Sequence, residues 1–175
     1  LSIENNGRGI TLRYPTAEDG YAIYDLVRRS PPLDVNSIYC YHLLSRHFNK
    51  TCVVAEDAGR IVGFLSAYPV PERPETLFVW QVAVDADCRG QGIARQMLDG
   101  LLGRPECEGM RAIETTVGPS NKPSRSLFHS YAKRRGVTID ERLFLPASAF
   151  GEGEHESEML LRIPLAKQPE HQGDN

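Results

Sequence analysis

Residues 76–85 (TLFVWQVAVD) are an almost unbroken apolar run of strand-forming side chains. Such a run reads as a central strand buried on both faces. It leads through residues 86–88 into Arg89-Gly90-Gln91-Gly92. Beyond the glycines, Ile93, Met97, Leu98, Leu101 and Leu102 share one face of a helix. A buried strand that ends in a glycine loop and opens a helix needs strands on either side and helices above and below. No other segment constrains the fold as much.

The remaining elements fit around it. Alternation of Ile10, Leu12 and Tyr14 predicts a first strand, and Thr16 with Asp19 starts a helix that runs to Arg29. A proline-stiffened loop over residues 30–36 precedes a second helix, capped by Asn36 or Ser37 and carrying Tyr39, Leu43, Leu44 and Phe48. Residues 51–56 and 60–68 form a hairpin about Asp57-Ala58-Gly59. Pro69, Pro71 and Pro74 mark the next loop. After the central strand and its helix come a strand at 112–117, a helix from Asn121 to Arg135 stopped by Gly136, and strands at 137–145 and 159–163. The order β-α-α-β-β-β-α-β-α-β-β is that of an α/β protein whose central mixed sheet has helices on both faces. We expect a flexible segment at 1–9, one domain at 10–165 and a disordered tail at 166–175.

A chain of 175 residues, 41% hydrophobic and 25% charged, can bury a core without staples. A net charge of −3 disfavours nucleic acid as a partner. The apolar runs at 61–71 and 76–84 are too short to span a bilayer, so no membrane is expected. Residues 1–9 are polar and show no secretory signal, although the chain starts at Leu1 and residues can be missing upstream. Cys40, Cys52, Cys88 and Cys107 form no CxxC pair, and the histidines lack metal-ligand spacing. Reduced thiols, a cytoplasmic location and no metal are expected. Cys88 lies beside the glycine loop, but nothing marks it as a nucleophile.

The loop itself carries chemistry. Gly90 and Gly92 leave room for a ligand against the backbone. The first turn of the following helix presents unpaired N–H groups and the positive end of a dipole, which suits a pyrophosphate. No Gly-Lys-Ser/Thr follows, so this is not a P-loop, and Arg95 stands where a dinucleotide fingerprint needs a third glycine. A tight strand-to-helix turn with no ligand would use the same residues.

Arg89-Gly90-Gln91-Gly92-Ile93-Ala94 after the strand end Val82-Ala83-Val84 resembles the signature of the GNAT family of acyl-CoA-dependent N-acetyltransferases. The resemblance implies the GNAT acyl-CoA N-acyltransferase fold and acetyl-CoA as co-substrate. It implies that the amides of Gln91 to Ala94, with Arg89, hold the pyrophosphate. Val82, Ala83 and Val84 would bond the pantetheine arm, and Asn121 would touch it from the second coenzyme helix. A bulged strand around Val82 would supply an oxyanion donor. Where many relatives place an acidic tyrosine, this chain has Phe128, which would instead pack on the coenzyme arm; Tyr131 is one turn further.

Outside the common core, Asp34-Val35-Asn36-Ser37-Ile38-Tyr39-Cys40-Tyr41, the Trp80 strand and the run 153–158 resemble the L-2,4-diaminobutyrate acetyltransferases of ectoine biosynthesis. That likeness implies acetyl transfer to a γ-amine and a homodimer. A substrate with two ammonium groups and a carboxylate asks for acidic side chains. The candidates are Asp34, Asn36, Tyr39, Trp80 and Glu158 for binding, and Tyr39, His155 and Glu158 for proton transfer. Each has a plainer alternative: Asp34 as a helix cap, Tyr39 and Trp80 as core, the acidic run 152–158 as a solvated turn, Arg89 as a partner of Asp85 or Asp87. A GNAT enzyme of another small amine (a polyamine or amino sugar) or of a protein N-terminus, or a non-catalytic acyl-CoA sensor, would share the coenzyme loop.

Overall fold

The computed structural model describes residues 2–5, 8–151 and 155–165. The strands are β1 (Ser2–Asn5), β2 (Arg8–Arg13), β3 (Cys52–Asp57), β4 (Arg60–Val70), β5 (Arg73–Val84), β6 (Ala112–Val117), β7 (Asp140–Leu145) and β8 (Glu158–Pro164). The α-helices are α1 (Gly20–Arg28), α2 (Ile38–His47), α3 (Ile93–Leu102) and α4 (Lys122–Arg134). The strands make one mixed sheet in the order β1-β2-β3-β4-β5-β6-β8-β7, in which only β5 and β6 run parallel. A parallel step needs a crossover, and α3 supplies it.

Helices cover both faces. Ile23, Leu26 and Val27 of α1 and Tyr41 and Leu44 of α2 pack on Val54, Phe64 and Ala83. Met97, Leu98 and Leu101 of α3, with Phe128, Tyr131 and Ala132 of α4, pack on Val53, Leu65, Leu77, Ile113 and Leu161. Gly63 lets α3 lie close on β4, since a Cβ there would stand 3.1 Å from Met97 Sδ. No disulfide joins the four cysteines, and burial pushes Cys52 up to about 12 and Cys107 to about 11.

Three expectations change, and one lies beyond test. Ser2–Asn5 is not a loose segment but an edge strand on β2; backbone pairing needs no apolar pattern, so polar residues hid it. The tail at 166–175 lies outside the described residues. Pro69 and Pro74 sit inside β4 and β5, leaving a short turn at 71–72, and the ladder shifts register between Pro69 and Val70, where the proline has no N–H to give. On α2 the buried residues are Tyr41, Leu44 and Ser45, while Tyr39 and Phe48 face outward.

Two irregularities shape the centre of the sheet. β5 and β6 pair only through Thr76, Leu77 and Phe78 against Ala112, Ile113 and Glu114, and beyond that they separate. On the other side of β5, Ser66 pairs with Gln81 and Ala67 with Val79, so Trp80 is the extra residue of a β-bulge. The bulge reverses the alternation. Leu77 and Val79 before it, and Val82 and Val84 after it, belong to the α3–α4 side, while Ala83 joins the α1–α2 side. Val79 and Gln81 therefore do not share a face, as unbroken alternation would require. β5 is also not buried on both faces, because Trp80 is 41% exposed.

Candidate active site

The separation of β5 from β6 opens a cleft of about 330 Å³. Its floor is Val82, Ala83 and Val84. One wall is Arg89, Gly90, Gly92, Ile93, Ala94 and Arg95 at the start of α3. The other is Asn121, Pro123, Ser124 and Leu127 at the start of α4, and residues 30–33 close the far side. Gly90 and Gly92 both hold φ 76°, a left-handed backbone that glycine adopts without strain. A Cβ on Gly90 would meet nothing, whereas one on Gly92 would stand 3.3 Å from Arg95 Nη2. Asn121 Oδ1 accepts from Ser124 N–H at 3.2 Å and caps α4. The cleft therefore brings together two helix N-termini, two arginines and a free strand edge. Helix N-termini and arginines suit a phosphate, and an unpaired strand edge suits an amide-bearing arm such as pantetheine.

Most of the expected coenzyme residues line this cleft. Gln91 and Phe128 do not. Phe128 is 2% exposed within the α3–α4 core, and Leu127, one position earlier, faces the cleft. Tyr131 is buried too. Its hydroxyl lies 3.0 Å from Asp99 Oδ1, and burial together with the Asp99 charge pushes it up to about 12. Arg89 pairs with neither acidic neighbour; its Nε donates to Val84 O at 3.1 Å. Asp85 is taken by Arg29 and Arg60, each at 3.1 Å. Burial pushes its carboxyl up, but the Arg29 hydrogen bond, the Asp87 amide and the Arg60 charge outweigh that and hold it below its ordinary value. Sequence reasoning passed over Arg95, Leu127 and residues 30–33. Arg95 had a signal: a cation in a first helical turn opposes the dipole unless an anion is near.

None of the acceptor candidates lines this cleft; they lie on two neighbouring segments, one after its residues 30–33 and one at the start of β8. On one, Asp34 O accepts from Gln81 Nε2 at 2.8 Å, which seats the α1–α2 loop beside the bulge at Trp80. Asp34 does not cap α2; Ser37 does, its Oγ accepting from Cys40 N–H at 3.2 Å. Asn36 N–H donates to the buried Tyr41 hydroxyl at 3.2 Å. Tyr39 is 69% exposed, so neither it nor Trp80 is core.

On the other segment, Glu158 begins β8 beside the open end of β6, where Met159 pairs with Val117. The preceding turn is not merely solvated. Glu156 Oε2 accepts from Ser120 N–H at 2.9 Å and locks it to the start of α4. His155 stacks on Phe150 with ring centroids 3.7 Å apart. Its Nδ1 lies 2.7 Å from Glu156 O. Nδ1 must donate there, which leaves Nε2 as the acceptor nitrogen of the neutral ring. The side chains of Asp34 and Glu158 make no hydrogen bond or ion pair with another described residue. Residues 152–154 of the acidic run lie outside the described residues.

Cleft, bulge and glycine loop together define an acyl-CoA-dependent acetyltransferase. Residues 20–132 match the model of the Acetyltransferase (GNAT) family, and the chain belongs to that family. It is 51% identical to the L-2,4-diaminobutyric acid acetyltransferase of Bordetella parapertussis, over 91% of this chain and 87% of that protein. It is 45% identical to the protein of the same name from Vibrio cholerae, over 87% and 88%. Among solved structures it resembles the diaminobutyrate acetyltransferase of Paenibacillus lautus, in complex with L-2,4-diaminobutyric acid and coenzyme A. That likeness has 48% identity, a TM-score of 0.87 and coverage of 90% of this chain and 96% of that one. Likeness to Ard1 of Thermoplasma volcanium (16% identity, TM-score 0.73) speaks for the fold alone.

Proposed function

We propose that the protein transfers the acetyl group of acetyl-CoA to the γ-amine of L-2,4-diaminobutyrate, giving N4-acetyl-L-2,4-diaminobutyrate for ectoine formation. The likeness over nine-tenths of the chain to an enzyme solved with that amino acid and coenzyme A carries this reading.

Acetyl-CoA supplies the thioester. The main chain of Val82, Ala83 and Val84 pairs with the pantetheine arm through the edge that β6 leaves free. Arg89 and Arg95 and the first-turn amides of α3 hold the pyrophosphate. Asn121 and Leu127 face the arm from α4. Asp34 and Glu158 take the ammonium groups of the acceptor, with Trp80 as a wall and Asn36 and Tyr39 beside it. An attacking amine must first lose a proton. His155 Nε2 accepts it, directly or through water. The amine nitrogen then bonds to the acetyl carbon, the carbon–sulfur bond breaks, and the coenzyme thiolate takes a proton from Tyr39 or water. The Val82 N–H near the bulge stabilises the oxyanion. Holding two reactants in one cleft provides much of the rate.

We assign the enzyme to the cytoplasm as a homodimer. All six residues of the edge strand β7 are exposed, with Leu143 at 55% and Phe144 at 51%, and a second copy is the cover that suits a self-complementary patch.

Thiol release from acetyl-CoA with diaminobutyrate, ornithine, lysine and spermidine, with NMR of the product, tests the function. Selective turnover of diaminobutyrate with acetyl on the γ-nitrogen is expected. Preference for another amine would overturn the substrate while keeping the coenzyme site, and coenzyme binding without turnover would favour a sensor.

A further inference from the structure

Gln81 is a buried polar side chain on β5 that the chemistry above does not use. It is 5% exposed and directly follows the bulged Trp80. Its Nε2 donates to Asp34 O at 2.8 Å. Its Oε1 is buried with no hydrogen-bond partner among the described residues. Methionine would fill the same space and strand no oxygen. A buried amide with one unpaired end has to be accounted for by what its other end does.

The α1–α2 loop is held in two independent halves. Residues 30–33, which line the coenzyme cleft, are anchored on α1. Ser30 N–H donates to Val27 O at 2.9 Å, Ser30 Oγ to Leu26 O at 2.8 Å, and Leu33 N–H to Ser30 O at 3.2 Å. Residues 34–36 have no such anchor. They are held by Gln81 on Asp34 O and by the Tyr41 hydroxyl on Asn36 N–H. One hold comes from the sheet and the other from α2.

We propose that Gln81 is a positioning residue for the acceptor amine. Its grip on the Asp34 carbonyl sets the Asp34 carboxylate beside the bulge and leaves the coenzyme half of the loop untouched. The inference rests on Asp34 as an ammonium partner. It separates the two substrates: loosening Gln81 disturbs the acceptor and spares acetyl-CoA.

The test is steady-state kinetics on the full chain, with Gln81→Met, Asp34→Ala and the double variant. Gln81→Met is expected to raise the KM for diaminobutyrate about tenfold while moving the KM for acetyl-CoA less than about twofold, without lowering Tm. Asp34→Ala is expected to raise the diaminobutyrate KM further. The double variant should be no weaker than Asp34→Ala alone, because Gln81 acts through Asp34. If Asp34→Ala raises that KM and Gln81→Met does not, the inference fails and the reading of Asp34 stands. A rise in both KM values with a fall in Tm would make Gln81 a purely structural residue and overturn it as well. A silent Asp34→Ala removes the reading of Asp34, and this inference with it.

Discussion

Gly92 and Asp34 stand at the two ends of the proposed reaction, one on the coenzyme side and one on the acceptor side. Gly92 holds φ 76° at the mouth of α3, with Arg95 folded toward it. An aspartate there would add backbone strain, bulk and a charge facing a phosphate site. Gly92→Asp is expected to weaken coenzyme A binding about a hundredfold in calorimetry, with folding retained. Asp34 and Glu158 stand apart from the carboxylates that arginines already hold, such as Asp85 and Glu114. Glu158→Gln should therefore raise the diaminobutyrate KM about tenfold or more and leave Tm nearly unchanged, as for loss of one charge-assisted contact. The chemical character of these residues was legible in the sequence because motif spacing carries it. The helical phase of α4 was not. Leu127 and Phe128 are adjacent and both apolar, and only packing decides which of them faces the cleft.

At the scale of elements, the sheet is stapled where it begins to split. Glu114 is the last β6 residue paired with β5, and its side chain is 2% exposed. Arg73 grips it at 2.6 and 2.8 Å, and Arg162 reaches it from β8 at 2.7 Å. The Arg73 hydrogen bond, followed by that of Arg162, holds its carboxyl below its ordinary value against the penalty of burial. A depressed carboxyl stabilises the fold fully above the unfolded value of 4.5, and that contribution is lost as the pH falls through the folded value. Glu114→Gln should flatten the decline of Tm below about pH 4.5. Glu114→Ala should cost about 2–3 kcal/mol in urea unfolding, less than a fully buried pair because both arginines reach water. On the α1 side, a Cβ on Gly20 would run into the His42 ring, so Gly20→Ala should destabilise by about 1–3 kcal/mol. The element order was readable because periods of 2 and 3.6 differ plainly along most of the chain. The bulge was not readable from the pattern, since one extra apolar residue in an apolar run leaves it intact; only the family resemblance implied one, around Val82, and the structure sets it at Trp80. β1 was hidden for the opposite reason, having no pattern to read.

For the molecule as a whole, the sheet carries α3 and α4 on one face and α1 and α2 on the other. The proposed coenzyme contacts come from α3 and α4, and the proposed acceptor contacts come from the α1–α2 loop and the start of β8. The edge strand β7 exposes Leu143, Phe144 and Leu145. A Phe144→Glu variant is expected to run as a monomer in light scattering where the parent runs as a dimer; a parent that is already monomeric would remove the dimer assignment. The long-range pairing of β6 with β8 lies beyond local patterns, which is why the residues alone could not place it, and the expectation of a homodimer came only from the family resemblance. Trp80 also carries a genetic implication. Loss of its codon would join Val79 to Gln81 and turn the interrupted ladder with Ala67 and Ser66 into a regular one. Such an in-frame deletion should yield a well-folded but catalytically silent protein. A lineage released from the need for this reaction could therefore drop one triplet and keep a sound fold, a loss recognisable in a genome as a single missing codon in an otherwise intact gene.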